Sequence, residues 1–297
     1  MEFGLVMPNF ASWFTPDHIR ETMTLAEELG YDSAWVNDHV IFPDNMADHY
    51  GNEFKDPLSV LPYMAALTTR LKLGTTVLVI PYRPPVQTAK QLATIDFLSN
   101  GRLLLGIGSG HEPMESDALG LPYKERGAMT DEYMRVMIEL WTHEVANFDG
   151  KYSKFANSRP LIHPVQKPFP QVFVGGNSDA TFRRIVEYGG GWHPSANSAE
   201  RLEPSAAKLR EYCASKGAQY PEISVRWSPL MVAEGEDTSG TMSARGEMTW
   251  NRYTPSSARR EVEAFAALGV TRLVVNLPAA RGGYLDQLRT FAQGVMK

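Results

Sequence analysis

Asn37, Asp38 and His39 bring an amide, an acid and an imidazole to the end of the apolar run Ala34-Trp35-Val36, and Val40, Ile41, Phe42 and Pro43 follow at once. An imidazole titrates near neutrality, so beside a carboxylate it can accept or give a proton, or donate a hydrogen bond. The same adjacency also suits a purely structural pairing. Three successive apolar residues fit a strand buried on both faces, and the polar residues after them fit the loop leaving it.

Two further stretches have residue types suited to a ligand. Gly175-Gly176-Asn177-Ser178 closes the apolar segment Gln171 to Val174 and leads into a helical pattern. Small residues there let the backbone approach an anion, and the free N–H groups and dipole of the helix hold it. A tight loop that needs glycine for its geometry reads the same way. Gly106-Ile107-Gly108-Ser109-Gly110 also follows a strand, but Pro113 and Gly120 fall where a dinucleotide-binding helix would run. Gly108 and Gly110 instead suit close packing on a planar ring, with Ser109 as a donor, or a sharp turn.

Other chemistries find less support. The seven histidines include no His-Glu-x-x-His pair, so no metal site is expected. Ser109 stands one place too late for a nucleophile elbow. Cys213, the only cysteine, falls inside a helical pattern as an inert packed thiol and excludes a disulfide framework.

The elements that must position these residues alternate. Strands are expected at Phe3 to Met7, Ser33 to Asn37, Leu73 to Ile80, Arg102 to Ile107, Gln171 to Val174, around Trp192, at Ile223 to Val232 and at Thr271 to Asn276. Between them run helical patterns. Thr15-Pro16 starts one that stops at Gly30, Asp56-Pro57 starts one that reaches Thr69, and Pro84-Pro85 starts one that breaks at Asn100-Gly101. Later helices are expected over Thr130 to Trp141, from Ser178 to Tyr188, and over Ser198 to Lys216, Pro255 to Leu268 and Tyr284 to Met296. Eight strand–helix units in this length match a (β/α)8 TIM barrel in one domain, residues 1–297, with loop insertions at the C-terminal face. Phe148 to Tyr152 resembles a hairpin turn, and Gly235 to Trp250 is the best place for a lid.

A net charge of −5 gives no support to nucleic-acid binding, which draws on basic residues to meet phosphates. Hydrophobic content of 43% and charged content of 21% are those of a soluble globular enzyme. No run is long enough to cross a bilayer and the first residues lack a signal-peptide pattern, so a cytoplasmic protein is expected.

In this order, several stretches resemble the luciferase-like family of flavin and deazaflavin oxidoreductases, especially its branch dependent on coenzyme F420. They are Trp35-Val36-Asn37-Asp38-His39, Leu73-Gly74-Thr75-Thr76-Val77-Leu78, Ala89-Lys90-Gln91-Leu92-Ala93-Thr94 and Leu98-Ser99-Asn100-Gly101-Arg102-Leu103. Leu105 to Gly110, Leu119-Gly120-Leu121-Pro122-Tyr123 with Arg126, Val172 to Ser178 and Gly191-Trp192-His193-Pro194 complete the set.

The resemblance implies a barrel that binds an isoalloxazine-type ring across its mouth, behind which the third strand bulges, often through a non-proline cis peptide matching Thr76-Val77. It places the phosphate loop on Gly175 to Ser178 and the Asp-His pair on Asp38 and His39. Asn37, Thr76, Val77, Ser109, Gly110, Gly175, Gly176, Asn177 and Ser178 are then the expected cofactor residues. His39, Asp38, His111 and Glu115 are the candidates for proton transfer, with Asp38 orienting the imidazole or bonding the ring. His111 stands where the sugar-phosphate dehydrogenase branch has an acid, which weakens a sugar-phosphate reading.

An F420-dependent hydride transfer to a small organic substrate is expected. A monooxygenase using reduced FMN and oxygen is the alternative, and a non-catalytic flavin-binding protein a further one. The partner is a small molecule, with a homodimer expected and neither nucleic acid nor membrane. Trp13, Phe14, Tyr82 and Trp227 are candidates for an apolar substrate wall, and Arg83, Arg183 or Arg184 for meeting an acidic cofactor tail.

Overall fold

A computed structural model of the chain describes residues 1–42, 53–243, 249–278 and 283–297. Eight strands follow one another as β1 Glu2–Val6, β2 Ser33–Val36, β3 Lys72–Thr75, β4 Leu103–Gly108, β5 Gln171–Gly175, β6 Gly191–His193, β7 Ile223–Trp227 and β8 Val270–Val275. Each is parallel to its neighbours, in the order β3-β2-β1-β8-β7-β6-β5-β4. Leu73 and Gly74 of β3 pair with Leu103 and Leu104 of β4, which closes the sheet into a barrel.

Helices cover the outside, one after each strand: α1 Pro16–Leu29, α2 Pro57–Leu67, α3 Pro85–Leu98, α4 Arg126–Thr142, α5 Asp179–Tyr188, α6 Ala199–Ser215, α7 Pro255–Ala267 and α8 Tyr284–Val295. Their ends follow local rules. Thr15 caps α1 by accepting from the His18 N–H, Pro16 fills the first turn and Gly30 stops the helix at a φ of 87°. Among the described residues no helix is long and apolar enough to cross a membrane.

The barrel interior is filled by Val6, Trp35, Leu104, Phe173 and Val274. Trp35 occupies space that glycine leaves: a Cβ on Gly74 would lie 2.3 Å from the indole. At the end away from the site, the buried Arg272 guanidinium pairs with Glu2 and, at 3.0 Å, with Glu222.

Four expectations need adjustment. The third strand does not run unbroken to Ile80: it stops at Thr75, crosses a cis Thr76–Val77 bond and resumes as Leu78–Val79 against Ile107 and Gly108. The expected strand Ile223 to Val232 divides at Ser228, its second part (Pro229–Met231) joining a small side sheet with Thr249–Tyr253 and Thr241–Ser243. That sheet takes in residues 241–243 and 249–250 of the expected lid Gly235 to Trp250, of which 244–248 lie outside the described residues. Finally, α4 begins at Arg126 and not near Thr130, which brings Arg126 to the barrel mouth.

Candidate functional site

The strands end around a cavity of about 680 Å³ at the C-terminal mouth. Every expected cofactor and proton-transfer residue lines it: Asn37, Asp38 and His39 from the end of β2, Thr76 and Val77 just after β3, and Ser109, Gly110, His111 and Glu115 after β4. Gly175, Gly176, Asn177 and Ser178 line it from the end of β5.

Glu115 is a buried hub carried by the short helix Pro113–Ala118, with 1% of its surface exposed. Its Oε2 is 3.0 Å from His39 Nδ1 and accepts from the Tyr82 hydroxyl at 2.8 Å, while Oε1 accepts from the Val40 N–H at 2.6 Å. Burial alone would raise the carboxyl's pKa; the hydrogen bonds from His39 and from the Val40 N–H outweigh it and hold it below its usual range. An ionised carboxylate only accepts, so His39 donates through Nδ1. Burial and the bond to Glu115 push the Tyr82 phenol upward, which keeps it a donor.

Asp38 does not orient His39. Its carboxylate accepts from the Val79 N–H at 2.9 Å and from both Arg83 nitrogens at 2.7 and 2.8 Å, and Arg83 also reaches Asp56 at 2.6 Å. Arg83 is therefore held by carboxylates, a position that does not suit it to meet an acidic tail. Asp38 secures the chain just beyond the cis bond. Asn37 is fixed by Asn9 at the end of β1, whose Oδ1 accepts from the Asn37 N–H at 3.1 Å.

Val77 lies between two glycines. A Cβ on Gly108 would come within 2.6 Å of one Val77 methyl and a Cβ on Gly175 within 2.9 Å of the other. Gly108 thus makes room for Val77, and both line the cavity.

Behind this floor sits His193, a residue to which sequence reasoning gave no role although its position at the end of β6 was visible. Its Nε2 is 2.9 Å from Thr76 Oγ1, its Nδ1 3.1 Å from Ser224 Oγ, and its ring stacks on Trp35 at 4.9 Å and 6°. Burial, with the Arg226 charge adding to it, pushes its pKa down to about 3, so the ring is neutral.

At the other end of the cavity, Ser178 caps α5 and the Trp192 indole N–H holds the Gly176 carbonyl at 2.7 Å. The first N–H groups of a helix have no partner within it, which gives this turn its capacity for an anion. Arg126 lines the same end, its guanidinium bonded to the carbonyls of Gly110 and Tyr123 and, among the described residues, paired with no carboxylate. Arg184 lines it too but is paired with Asp131 at 2.6 Å. Arg126 entered the sequence reading only within a motif; the α4 boundary hid its place.

The other expected contacts fall elsewhere. Arg183 pairs with Asp131 and Glu187. Phe14 and Trp227 are buried in the core, Trp227 against Tyr253, Phe265 and Phe291, and Trp13 packs beside Phe14 and Tyr284. Of the four candidates for an apolar wall only Tyr82 lines the cavity. His111 is largely exposed at the mouth, 3.2 Å from Glu112 and edge-on to His39.

Comparison with known proteins agrees with this architecture. The profile of a family described as luciferase-like monooxygenase matches residues 1–281. An uncharacterized protein of Mycobacterium tuberculosis is 28% identical over 258 residues, which cover 79% of this chain and 90% of that protein. An F420-dependent glucose-6-phosphate dehydrogenase of Amycolatopsis mediterranei is 35% identical over 170 residues, 56% of this chain and half of that protein. Among solved structures, the F420-dependent tetrahydromethanopterin reductase of Methanopyrus kandleri superposes with a TM-score of 0.77 at 19% identity, covering 99% of this chain and 98% of that one. The oxygenating component of 3,6-diketocamphane monooxygenase from Pseudomonas putida, in complex with FMN, gives 0.77 at 18% identity over 99% and 95%.

Proposed function

From the premise that this chain belongs to the luciferase-like monooxygenase family, we propose that it is an oxidoreductase which uses coenzyme F420 to pass a hydride to or from a small organic substrate. The observation that carries the reading is the two-ended cavity, with an anion cradle and Arg126 at one end and His39 on its buried carboxylate at the other. The 35% identity with an F420-dependent enzyme of Amycolatopsis mediterranei supports the choice of F420 over FMN.

The residues fit such a group. The α5 N-terminus and Arg126 would hold its phosphate, and Val77, backed by Gly108 and Gly175, would offer a surface for its ring. When bound, the cofactor ring supplies the hydride donor or acceptor. Thr76, tied to His193, keeps the floor in place, and neutral His193 adds no charge beneath it. His39, oriented by Glu115, takes up or releases the accompanying proton at Nε2.

The test is a fluorescence titration of purified protein with F420, FMN and the phosphate-free deazaflavin nucleoside. F420 is expected to bind and FMN not. Arg126→Ala should weaken F420 by about tenfold, the size of one charge-assisted hydrogen bond, and leave the nucleoside unaffected. Uptake of FMN alone assigns the site to reduced flavin and oxygen; binding of neither removes the redox reading.

A further inference from the structure

The three arginines expected to meet an acidic tail are already paired, Arg83 with Asp38 and Asp56, and Arg183 and Arg184 with Asp131. A different arginine stands beside the anion cradle. A groove of about 240 Å³ leaves the cradle across the loop between β6 and α6, and Asn177, Pro194 and Ser195 line both it and the main cavity. Buried Trp192 and Leu202 give it an apolar base, while exposed Asn177, Ser195 and Arg201 form its rim.

Among the described residues the Arg201 side chain has no hydrogen-bond or ionic partner; only its backbone N–H is engaged, by Ser198. Glu200 and Glu203 are its neighbours on α6, yet neither lines the groove, whose described lining holds one cation and no carboxylate. The loop that shapes the groove is fixed from behind. The Asn197 carbonyl accepts from the Tyr253 hydroxyl at 3.1 Å and from the Asn251 amide at 3.2 Å, and Ser198 caps α6. A ligand entering it therefore meets walls that are already ordered.

We propose that this groove receives an acidic arm carried by the cofactor beyond its phosphate, with Arg201 meeting a carboxylate of that arm. The inference rests on the redox reading above. Asn177 borders both spaces, so an arm attached at a phosphate in the cradle has the groove beside it. Methylene groups of the arm suit Trp192 and Leu202, and a carboxylate suits the planar fork of donors on an unpaired guanidinium. A phosphate without such an arm leaves Arg201 unused.

The test is a fluorescence titration of purified protein with F420 carrying two glutamates and with the deazaflavin 5′-methylphosphate, which keeps the ring and a phosphodiester and lacks the arm. Native protein is expected to bind F420 about fivefold more tightly, the upper end for an exposed ion pair. That advantage should shrink as salt rises from about 50 to about 500 mM. Arg201→Ala should bring F420 down to the affinity of the methylphosphate and leave the methylphosphate within twofold, whereas Arg126→Ala should weaken both ligands alike. Near-UV circular dichroism checks each fold, and Arg201→Gln replaces any Arg201 variant that loses it. Equal affinity of native protein for the two ligands, or F420 affinity unaltered without Arg201, overturns the inference and leaves the redox reading standing. Failure of native protein to bind either ligand overturns both.

Discussion

His39 Nδ1 and Glu115 Oε2 stand 3.0 Å apart although 76 residues separate them in the chain. The contact assigns the orienting role to a glutamate on the β4 side of the barrel, not to the aspartate next door. For the proposed proton transfer it selects Nε2, because Nδ1 is engaged by a buried carboxylate that also accepts from Tyr82 and the Val40 N–H and has no proton of its own to give.

Replacing Glu115 by Gln keeps the shape of the hub and removes its charge. Turnover is expected to fall about 100-fold, the lower range for losing general acid–base assistance, while cofactor affinity changes little. Nitrogen-15 spectra of the His39 ring give a second readout: the neutral native ring should carry its proton on Nδ1, and the variant should show a mixture. A native ring protonated on Nε2 would refute the assigned geometry.

Asp38 and His39 should respond differently to substitution. The Asp38 side chain is fully buried and faces Arg83, which is 16% exposed, so Asp38→Asn leaves a partly buried cation short of its partner. A loss of about 3 kcal/mol is expected, read from the urea midpoint. His39→Ala should lower that midpoint less, because Glu115 keeps the Val40 N–H and Tyr82 hydroxyl as donors, and abolish most turnover. Asp38→Asn with native stability and no turnover would mean that Asp38 acts on the ligand instead.

His193 gives the fold a pH dependence. Its folded pKa of about 3 lies below the ordinary 6.5, so between these values the unfolded chain binds the proton that the native chain refuses. This contribution is complete above about pH 6.5 and is lost as the pH falls toward 3, at a limiting slope of about 1.4 kcal/mol per pH unit. Glu115, also held low, adds loss of the same sign below its ordinary pKa of 4.5. His193→Gln, whose amide can meet Thr76 and Ser224, should flatten the change in urea midpoint between pH 6.5 and 5. An unchanged slope would show that His193 does not cause it.

Much of this was legible in the chain because the barrel imposes local patterns. Buried parallel strands read as apolar runs, so the ends at Asn37 and Gly175 could be placed, and Gly-Gly-Asn-Ser before a helix announced its own cap. Partner choice was not legible. Neighbours in extended chain point to opposite sides, so the adjacency of Asp38 and His39 that suggested a pair sends Asp38 to Arg83 and His39 to Glu115. Arg126 was obscured by a helix boundary four residues early.

The segment after β2 is fastened to the one after β4 by Glu115, through both a side chain and the backbone of Val40. For anyone grafting loops between relatives to change what this scaffold accepts, the two are a single module. A transplanted β2 loop carried over without the Pro113–Ala118 turn would arrive with its imidazole unanchored, and recombination breakpoints placed between them would separate the two halves of one working part.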